Sequence, residues 1–382
     1  MEPTSLALSL PSIDEAEERA VLRVLRSGWL STGTEAEAFE HELAAMLDVA
    51  AVVAVSSCTA ALHLAVLAAG VRPGDEVVTT AVTWPAAANV IVHAGATPIF
   101  ADVESATLNI DPSAAAAAVT TRTSALMPVH LAGQPVRLDE IALLAEAHGM
   151  PVIEDAAHAL GAVYRGRRIG ALSPFTCFSF YPTKAVTTGE GGAIAMRDAT
   201  TASHVRMLSR QGMSAGTWAA REETTRPMCV APGFKYNLPD LLAAMGRVQL
   251  VKLERFLGRR RALVAAYREA LTDLPAIRLL DQIPDVESAH HLFPIIVRPE
   301  QSALDRDELA SALLERGIQT GVHYRALHLQ PYYAERFGLR PEDFPEATKA
   351  SRTVLSLPLH PGMSTDDVSR VADQVRRLVM GR

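Results

Sequence analysis

From Pro11 to Leu47 apolar residues recur at helical spacing: Ile13, Ala20, Val21, Val24 and Leu25, then Phe39, Leu43, Met46 and Leu47. Each run opens on a capping-box pattern, Ser12 to Glu15 and Thr34 to Glu37, and Gly28 stands where the first should stop. Two amphipathic helices are therefore expected. Beyond Leu47 the rhythm changes. Short β-rich runs at 51–55, 76–80, 97–101, 124–129 and 151–154 alternate with alanine-rich helical stretches, one of them carrying the alanine run 114–118. That alternation predicts an α/β fold with a mostly parallel sheet wrapped by helices, completed by runs at 175–180 and 192–196. A long helical pattern follows from 238 to about 271, through Leu241, Met245, Val248, Leu253 and Phe256. After Pro275 come a strand pattern (290–297), a helix (305–316), a further strand and a helix (365–378). The expected organisation is a large α/β domain with an N-terminal arm over residues 1–245 and a smaller C-terminal α+β domain over 246–382, a usual domain size, joined by the long helix.

Composition narrows the class. With 382 residues, 49% of them hydrophobic, the chain can bury more than one core. A net charge of −7 argues against a nucleic-acid partner, whose footprint would be basic. Arg259-Arg260-Arg261 is the basic cluster of note, and on a helix its members point in different directions, so a solvated face is expected. Cys58, Cys177 and Cys229 lack the spacing of a zinc site or a disulfide framework. The opening Met1-Glu2-Pro3-Thr4 has no secretion-signal layout, and no apolar run approaches the roughly 18 residues of a membrane span, so a cytoplasmic protein with no membrane partner is expected. His290, His291, His323 and His328 form no metal-binding motif, and no metal is expected.

The chemistry centres on Lys184, in Phe178-Ser179-Phe180-Tyr181-Pro182-Thr183-Lys184, followed by Thr188-Gly189-Glu190-Gly191-Gly192. A lysine after a short polar-aromatic turn can be held without its usual solvation, and such an amine forms a Schiff base with a carbonyl. Asp155 ends the apolar run Val152-Ile153, where a carboxylate is costly unless paired; its partner could be a protonated pyridine nitrogen, a salt bridge or a helix cap. A lysine and an acid of this kind are the protein's share of pyridoxal phosphate (PLP) chemistry. Ser56-Ser57-Cys58-Thr59 sits between a strand and a helix, where free N–H groups accept an anion, although simple capping by Ser57 explains the residues as well. Trp84, before Pro85 at a strand's carboxyl end, could stack on a flat ring or be a core tryptophan. His158 could orient Asp155 or a ring hydroxyl, or be a satisfied buried histidine. Ser179 could add a hydroxyl to the anion site. His323 and Tyr324 follow Gly321 at a strand end and suit a substrate-facing role.

Taken together with Ser27-Gly28-Trp29-Leu30, Gly74-Asp75-Glu76-Val77, Pro128-Val129-His130 and Glu154-Asp155-Ala156-Ala157-His158, these residues resemble the sugar aminotransferases of the DegT/DnrJ/EryC1/StrS family, nearly end to end. The resemblance implies the aspartate-aminotransferase-like fold (fold type I) and PLP as cofactor. By it, Lys184 holds the cofactor and shuttles a proton, Asp155 holds the pyridine nitrogen, Trp84 stacks on the ring and His158 sits near the ring hydroxyl. Cys58, Thr59 and Ser179 would line the phosphate cup. Asn237 or Lys235 of a neighbouring subunit, with Asn237 favoured, would complete it, so a homodimer with shared sites is implied. Trp29, His323 and Tyr324 would face the substrate. The partners implied are a nucleotide-linked keto sugar and an amino acid donor, glutamate. Gly233, Lys235 and Asn237 replace the usual Gly-x-Asn-x-Arg, Cys58 stands where glycine is common, and Gln211 where histidine often precedes Gly212. The variant, with His290-His291-Leu292-Phe293 and 320–326, looks most like the enzymes that aminate C4 of UDP-4-keto-arabinose. Lys184 weighs against a sugar dehydratase, whose relatives replace that lysine, and no GxGxxG supports a nicotinamide enzyme. An aminocyclitol aminotransferase and a silent PLP-binding homologue are the remaining alternatives.

Overall fold

A computed structural model describes residues 5–214 and 227–381; the opening tetrapeptide Met1-Glu2-Pro3-Thr4 lies outside them. Helices α1 (Glu15–Ser27) and α2 (Thr34–Leu47) precede the alternating region. It runs β1 (Ala51–Val55), α3 (Cys58–Ala68), β2 (Glu76–Thr80), α4 (Ala86–His93), β3 (Thr97–Ala101), α5 (Pro112–Ala117), β4 (Thr123–Met127), α6 (Leu138–His148) and β5 (Ile153–Asp155). A two-residue hairpin, β6 (Val163–Tyr164) and β7 (Arg167–Arg168), leads to β8 (Phe175–Ser179), β9 (Gly192–Met196) and α7 (Ala199–Ser209). The long helix α8 (Asp240–Leu271) then connects to β10 (Ile277–Leu279), β11 (Val286–Glu287), β12 (Phe293–Val297), α9 (Arg306–Glu315), α10 (Pro331–Phe337), α11 (Pro345–Thr353), β13 (Val354–Leu357) and α12 (Thr365–Val379).

Strands β3-β2-β4 pair in parallel, and β1-β9-β8-β5 form the other half of the same surface. Parallel bridges Leu126↔Val152 and Val129↔Asp155 join the halves. Strand β9 is antiparallel to both neighbours. The alternation alone did not reveal this reversal: β8 reaches β9 through the loop 180–191, with no crossover helix to carry the chain back. Strand β4 stops at Met127 because Pro128 has no N–H to continue the ladder. Two apolar clusters cover the sheet's faces, one with Phe39, Leu43 and Phe178, the other with Leu62, Ile91 and Ile194. A third fills the space between β10-β12-β13, α9, α12 and the C-terminal half of α8.

Helix α1 begins two residues later than its pattern suggested. Asp14 is the N-cap, its carboxylate accepting from Ala16 N, and Glu17 completes the box by accepting from Asp14 N at 3.0 Å. Glu17 is also bound by Lys252 and Gln249 of α8, which fixes this frame and leaves Ile13 and Leu25 exposed. Gly28 ends the helix in the left-handed region. No side chain of its own caps α2; Asp240, opening α8, accepts from Gly33 N (2.7 Å), Ala36 N (3.0 Å) and Glu35 N (3.2 Å) instead. The strand expected from His290 starts at Phe293, because the N–H of His291 is taken by Ala132 O at 2.9 Å. That detour carries His291 toward the sheet.

Candidate active site

The carboxyl ends of β1, β5 and β8 converge under residues 291–292 and 323–324, around a cavity of about 460 Å³. Lys184 enters it from the loop between β8 and β9. The loop is closed at its base by Phe180 N donating to Gly191 O (2.9 Å) and Thr188 N to Phe180 O (3.0 Å). Inside it, Lys184 N donates to Tyr181 O (2.9 Å), and Thr187 Oγ1 bonds both Phe180 O and Gly189 N, so the lysine is presented by a backbone with its groups paired. Burial brings the Lys184 ammonium down to about 8, against the opposing pull of Cys58 and Asp155.

Asp155, at the end of β5, is buried, and desolvation raises its carboxyl above the usual range; the Ala157 N–H on Oδ1 (3.1 Å), Lys184 and His130 oppose the rise. The Cys58 thiol lies 4.0 Å from the same oxygen. On the opposite face of β5, Glu154 and His130 are wholly buried and bonded at 2.6 Å. Val136 N donates to His130 Nδ1, so Nε2 carries the proton and donates to Glu154, which also accepts from Thr176 Oγ1.

Ser57 caps α3 through Ala60 N at 3.1 Å, and Ala61 N bonds Ser57 O, so the capping reading of this turn is correct. The cap leaves the first two N–H groups of α3, at Cys58 and Thr59, for a ligand. Gly192 makes that turn possible: a Cβ there would lie 2.4 Å from the Ser57 carbonyl carbon and 2.5 Å from Cys58 N. Ser179 lines the same end.

Trp84 is 63% exposed at the rim, which excludes the core reading, and its ring lies 6.0 Å from that of Tyr324. His158 is buried, with Nε2 sharing a hydrogen bond with the Tyr324 hydroxyl (3.1 Å) and Nδ1 without a partner. Burial, then the charge of Lys184, pushes His158 well below its usual range. His323 is brought to about 4 by the same two causes, its Nδ1 within 2.9 Å of Ser356 Oγ.

Trp29 and Asn237 stand elsewhere. Trp29 Nε1 donates to Thr32 O (3.2 Å) and Asn237 Nδ2 to Thr32 Oγ1 (2.6 Å), and neither residue lines this chain's cavity. Lys235 is exposed, its backbone bridged to Arg210. Conversely, His291 lies in the wall with its ring 4.4 Å from His158, and Ser9 of the N-terminal arm donates to Thr183 O at 3.3 Å. Ser9 had no local signal as a site residue, and His291 stood out only among the candidate metal-binding histidines and in the stretch 290–293; both arrive through contacts distant in sequence.

Among the described residues no group of three or more His, Cys, Asp and Glu could hold a metal, and no helix is long and apolar enough to cross a membrane. The cavity does fit a flat heterocycle bearing an anion. It offers an open helix N-terminus, an acid for a ring N–H, an exposed indole face and an amine neutral in part near pH 8.

The family pattern described as "DegT/DnrJ/EryC1/StrS aminotransferase family" matches residues 11–376. The spore coat polysaccharide biosynthesis protein SpsC of Bacillus subtilis (strain 168) is 43% identical over 379 residues, 98% of this chain and 97% of that protein. Among solved structures, Spr1654 from Streptococcus pneumoniae in its PLP form superposes with a TM-score of 0.91 at 30% identity, over 99% of each chain. DesI, solved in the presence of its TDP-sugar product, gives 0.88 at 34% identity, over 99% of this chain and 94% of DesI. The chain belongs to the DegT/DnrJ/EryC1/StrS family and is a PLP-dependent aminotransferase of the fold type I class.

Proposed function

We propose that the chain transfers an amino group from an amino acid, glutamate, to a keto sugar carried on a nucleotide, and that it does so in the cytoplasm as a homodimer. The observation that carries the chemistry is a buried acid at the end of β5 and a buried amine on the loop after β8, both in one cavity. PLP, when bound, would supply the electron sink that lets the C–H bond next to the migrating nitrogen be broken. Lys184 would hold the cofactor covalently and, freed when the donor's amino group takes its place, would carry the proton between the donor's α-carbon and the cofactor's C4′. Asp155 keeps the ring nitrogen protonated, and Trp84 covers the ring face. Cys58, Thr59 and Ser179, with the N-terminus of α3, hold the phosphate. His158 would lie beside the ring hydroxyl, and His323 and Tyr324, which line the same cavity, would face the sugar.

The dimer is supported by the position of Trp29 and Asn237, gathered on Thr32 away from their own cavity, with exposed Leu22, Leu25 and Leu30 near Trp29 in sequence. From there Asn237 would complete the phosphate cup of a second copy and Trp29 would meet its substrate. A sugar acceptor is supported by the relatives' polysaccharide and TDP-sugar roles. The acceptor is a 4-keto pentose or a 4-keto-6-deoxyhexose on dTDP or UDP, and the product is an amino sugar for a secondary metabolite or a cell-surface glycan. Purified enzyme should be supplied with glutamate and dTDP- or UDP-linked 4-keto and 3-keto sugars, and the aminated carbon identified by NMR. Amination of a keto-inositol, with none of the nucleotide sugars accepted, would overturn the proposal.

A further inference from the structure

Arg260 lies in the middle of α8 and is 1% exposed. A solvated face was expected for 259–261, and for this residue that expectation was wrong: α8 is covered there by the 290–291 segment and the chain after β13. Its Nη1 donates to three carbonyls, His291 O (3.0 Å), Leu359 O (3.1 Å) and His290 O (3.3 Å), while its Nε has no partner. No carboxylate lies within ion-pair distance of it among the described residues. Burial lowers it only to about 10, so the guanidinium stays charged at neutral pH. A buried cation without a counter-charge is costly, and an apolar side chain would fill the same space more cheaply.

The carbonyls it gathers belong to a junction. His291 N is tied to Ala132 O (2.9 Å) and Ala289 N to Gly133 O (3.0 Å), both from the sheet side. Leu359 follows β13 of the C-terminal sheet. Gly133 permits the crossing, since a Cβ there would stand 2.8 Å from His158 O and 3.0 Å from His290 N and His291 N. The residue so clamped, His291, lays its ring 4.4 Å from that of His158 at 36°. Both rings have an Nδ1 without a partner, and both line the cavity. His158 has one ring bond, Nε2 to the Tyr324 hydroxyl, and otherwise the two rings are oriented by packing on each other, which is only as firm as the backbone that carries it.

We propose that Arg260 is a positioning residue for the transamination: by joining the carbonyls of His290, His291 and Leu359 it holds the His291 ring against His158 and so sets the imidazole beside the cofactor. The charge serves the same end. Burial is the main cause that lowers the His291 ring, and the charges of Lys184 and, to a smaller extent, Arg260 add to it, so the two imidazoles meet without mutual repulsion. The inference rests on reading this cavity as the PLP site.

The test is a double-mutant cycle on the holoenzyme with R260M, H291A and the pair, following kcat and KM, the visible circular dichroism of bound cofactor, PLP affinity by dialysis and the Tm of each variant. Either single change should lower kcat on the order of tens to a hundredfold by misplacing a group at the reacting centre, and alter the visible dichroism. The pair should be no worse than the poorer single within about twofold, because both act on one contact. R260K keeps the charge, but its ammonium ends one bond short of the position of Nη1, so it should resemble R260M in dichroism. Additive losses, or an R260M enzyme with a lower Tm but native kcat and dichroism, would overturn the inference. Should R260M fail to fold, a native dichroic spectrum in both R260K and H291A overturns it equally. A native enzyme with no visible band at all would instead remove the cofactor reading beneath it.

Discussion

The cavity has two walls built by different means. On the sheet side, Cys58, Asp155 and Ser179 stand at or near strand ends, and Lys184 follows β8 in a loop whose closing backbone bonds stay within a dozen residues, with Ser9 on Thr183 O as a distant contact. On the lid side, His291, His323 and Tyr324 come from connecting segments, and each is held by a residue far away in sequence: Ala132, Ser356 and His158. The first wall is as rigid as the sheet beneath it. The second is as well placed as a few contacts between separate elements allow. Groups that must meet reacting atoms at fixed angles belong on the first, and groups that discriminate between substrates suit the second.

If that division is right, the largest losses come from the sheet wall. Lys184→Ala should lose at least the 10²–10⁴-fold or so that a positioned acid–base group contributes, measured as the full turnover with a keto-sugar nucleotide. Near-native turnover by the purified variant would mean that the chemical wall has been misidentified. Asp155→Ala should follow, on the order of 10²–10³-fold in kcat, as expected when a charge is removed from opposite a developing one. Its PLP should still be retained through the helix end and Lys184, so a variant that simply loses cofactor would shift Asp155 to a binding role.

The next prediction concerns pH. Burial disfavours the ammonium of Lys184, so the folded protein releases that proton near 8 where an ordinary lysine needs about 10.5. Only the neutral amine attacks an aldehyde, so PLP capture by the apoenzyme should accelerate about tenfold per pH unit up to about 8 and level off above it. Stopped-flow absorbance follows this directly. A rate still climbing steeply at pH 9 would show that the amine is not desolvated by the wall around it.

The same contrast explains what the sequence disclosed. The strand runs 51–55, 76–80, 97–101 and 192–196 coincide with β1, β2, β3 and β9 residue for residue, because burial imposes a local pattern on every strand. Residues at or near strand ends inherit that legibility: Cys58, Asp155, Ser179 and Lys184 were singled out from the sequence, and all four line the cavity. The direction of β9 was not readable, since direction is a property of the connection and not of the strand. Nor was the role of His291, since the apolar run 292–297 gives no sign that Ala132 will claim the N–H before it. Asp14 displaced Ser12 as the cap of α1 for a like reason: Lys252 and Gln249 of a helix more than two hundred residues on selected the frame. Sequence patterns record what each element does with its own neighbours, and the lid wall is made of what elements do with one another.

The smallest predicted effect bears most directly on that wall. Tyr324→Phe removes one hydroxyl, whose bond to His158 Nε2 spans 3.1 Å, and leaves the ring beside Trp84. Burial raises the Tyr324 hydroxyl, so it stays protonated throughout the working range, while His158 is held neutral. The bond is therefore neutral on both sides, worth about 0.5–1.5 kcal/mol net, which corresponds to no more than about a tenfold change in rate. If the lid serves acceptor discrimination, the loss should appear in kcat/KM for the sugar half-reaction and be smaller in the glutamate half-reaction, which single-turnover spectra separate. Equal losses in both would mean that the hydroxyl acts through His158 on the cofactor common to the two halves. The lid would then belong, at that point, to the chemical wall, and the boundary drawn between the two would have to move outward to His323.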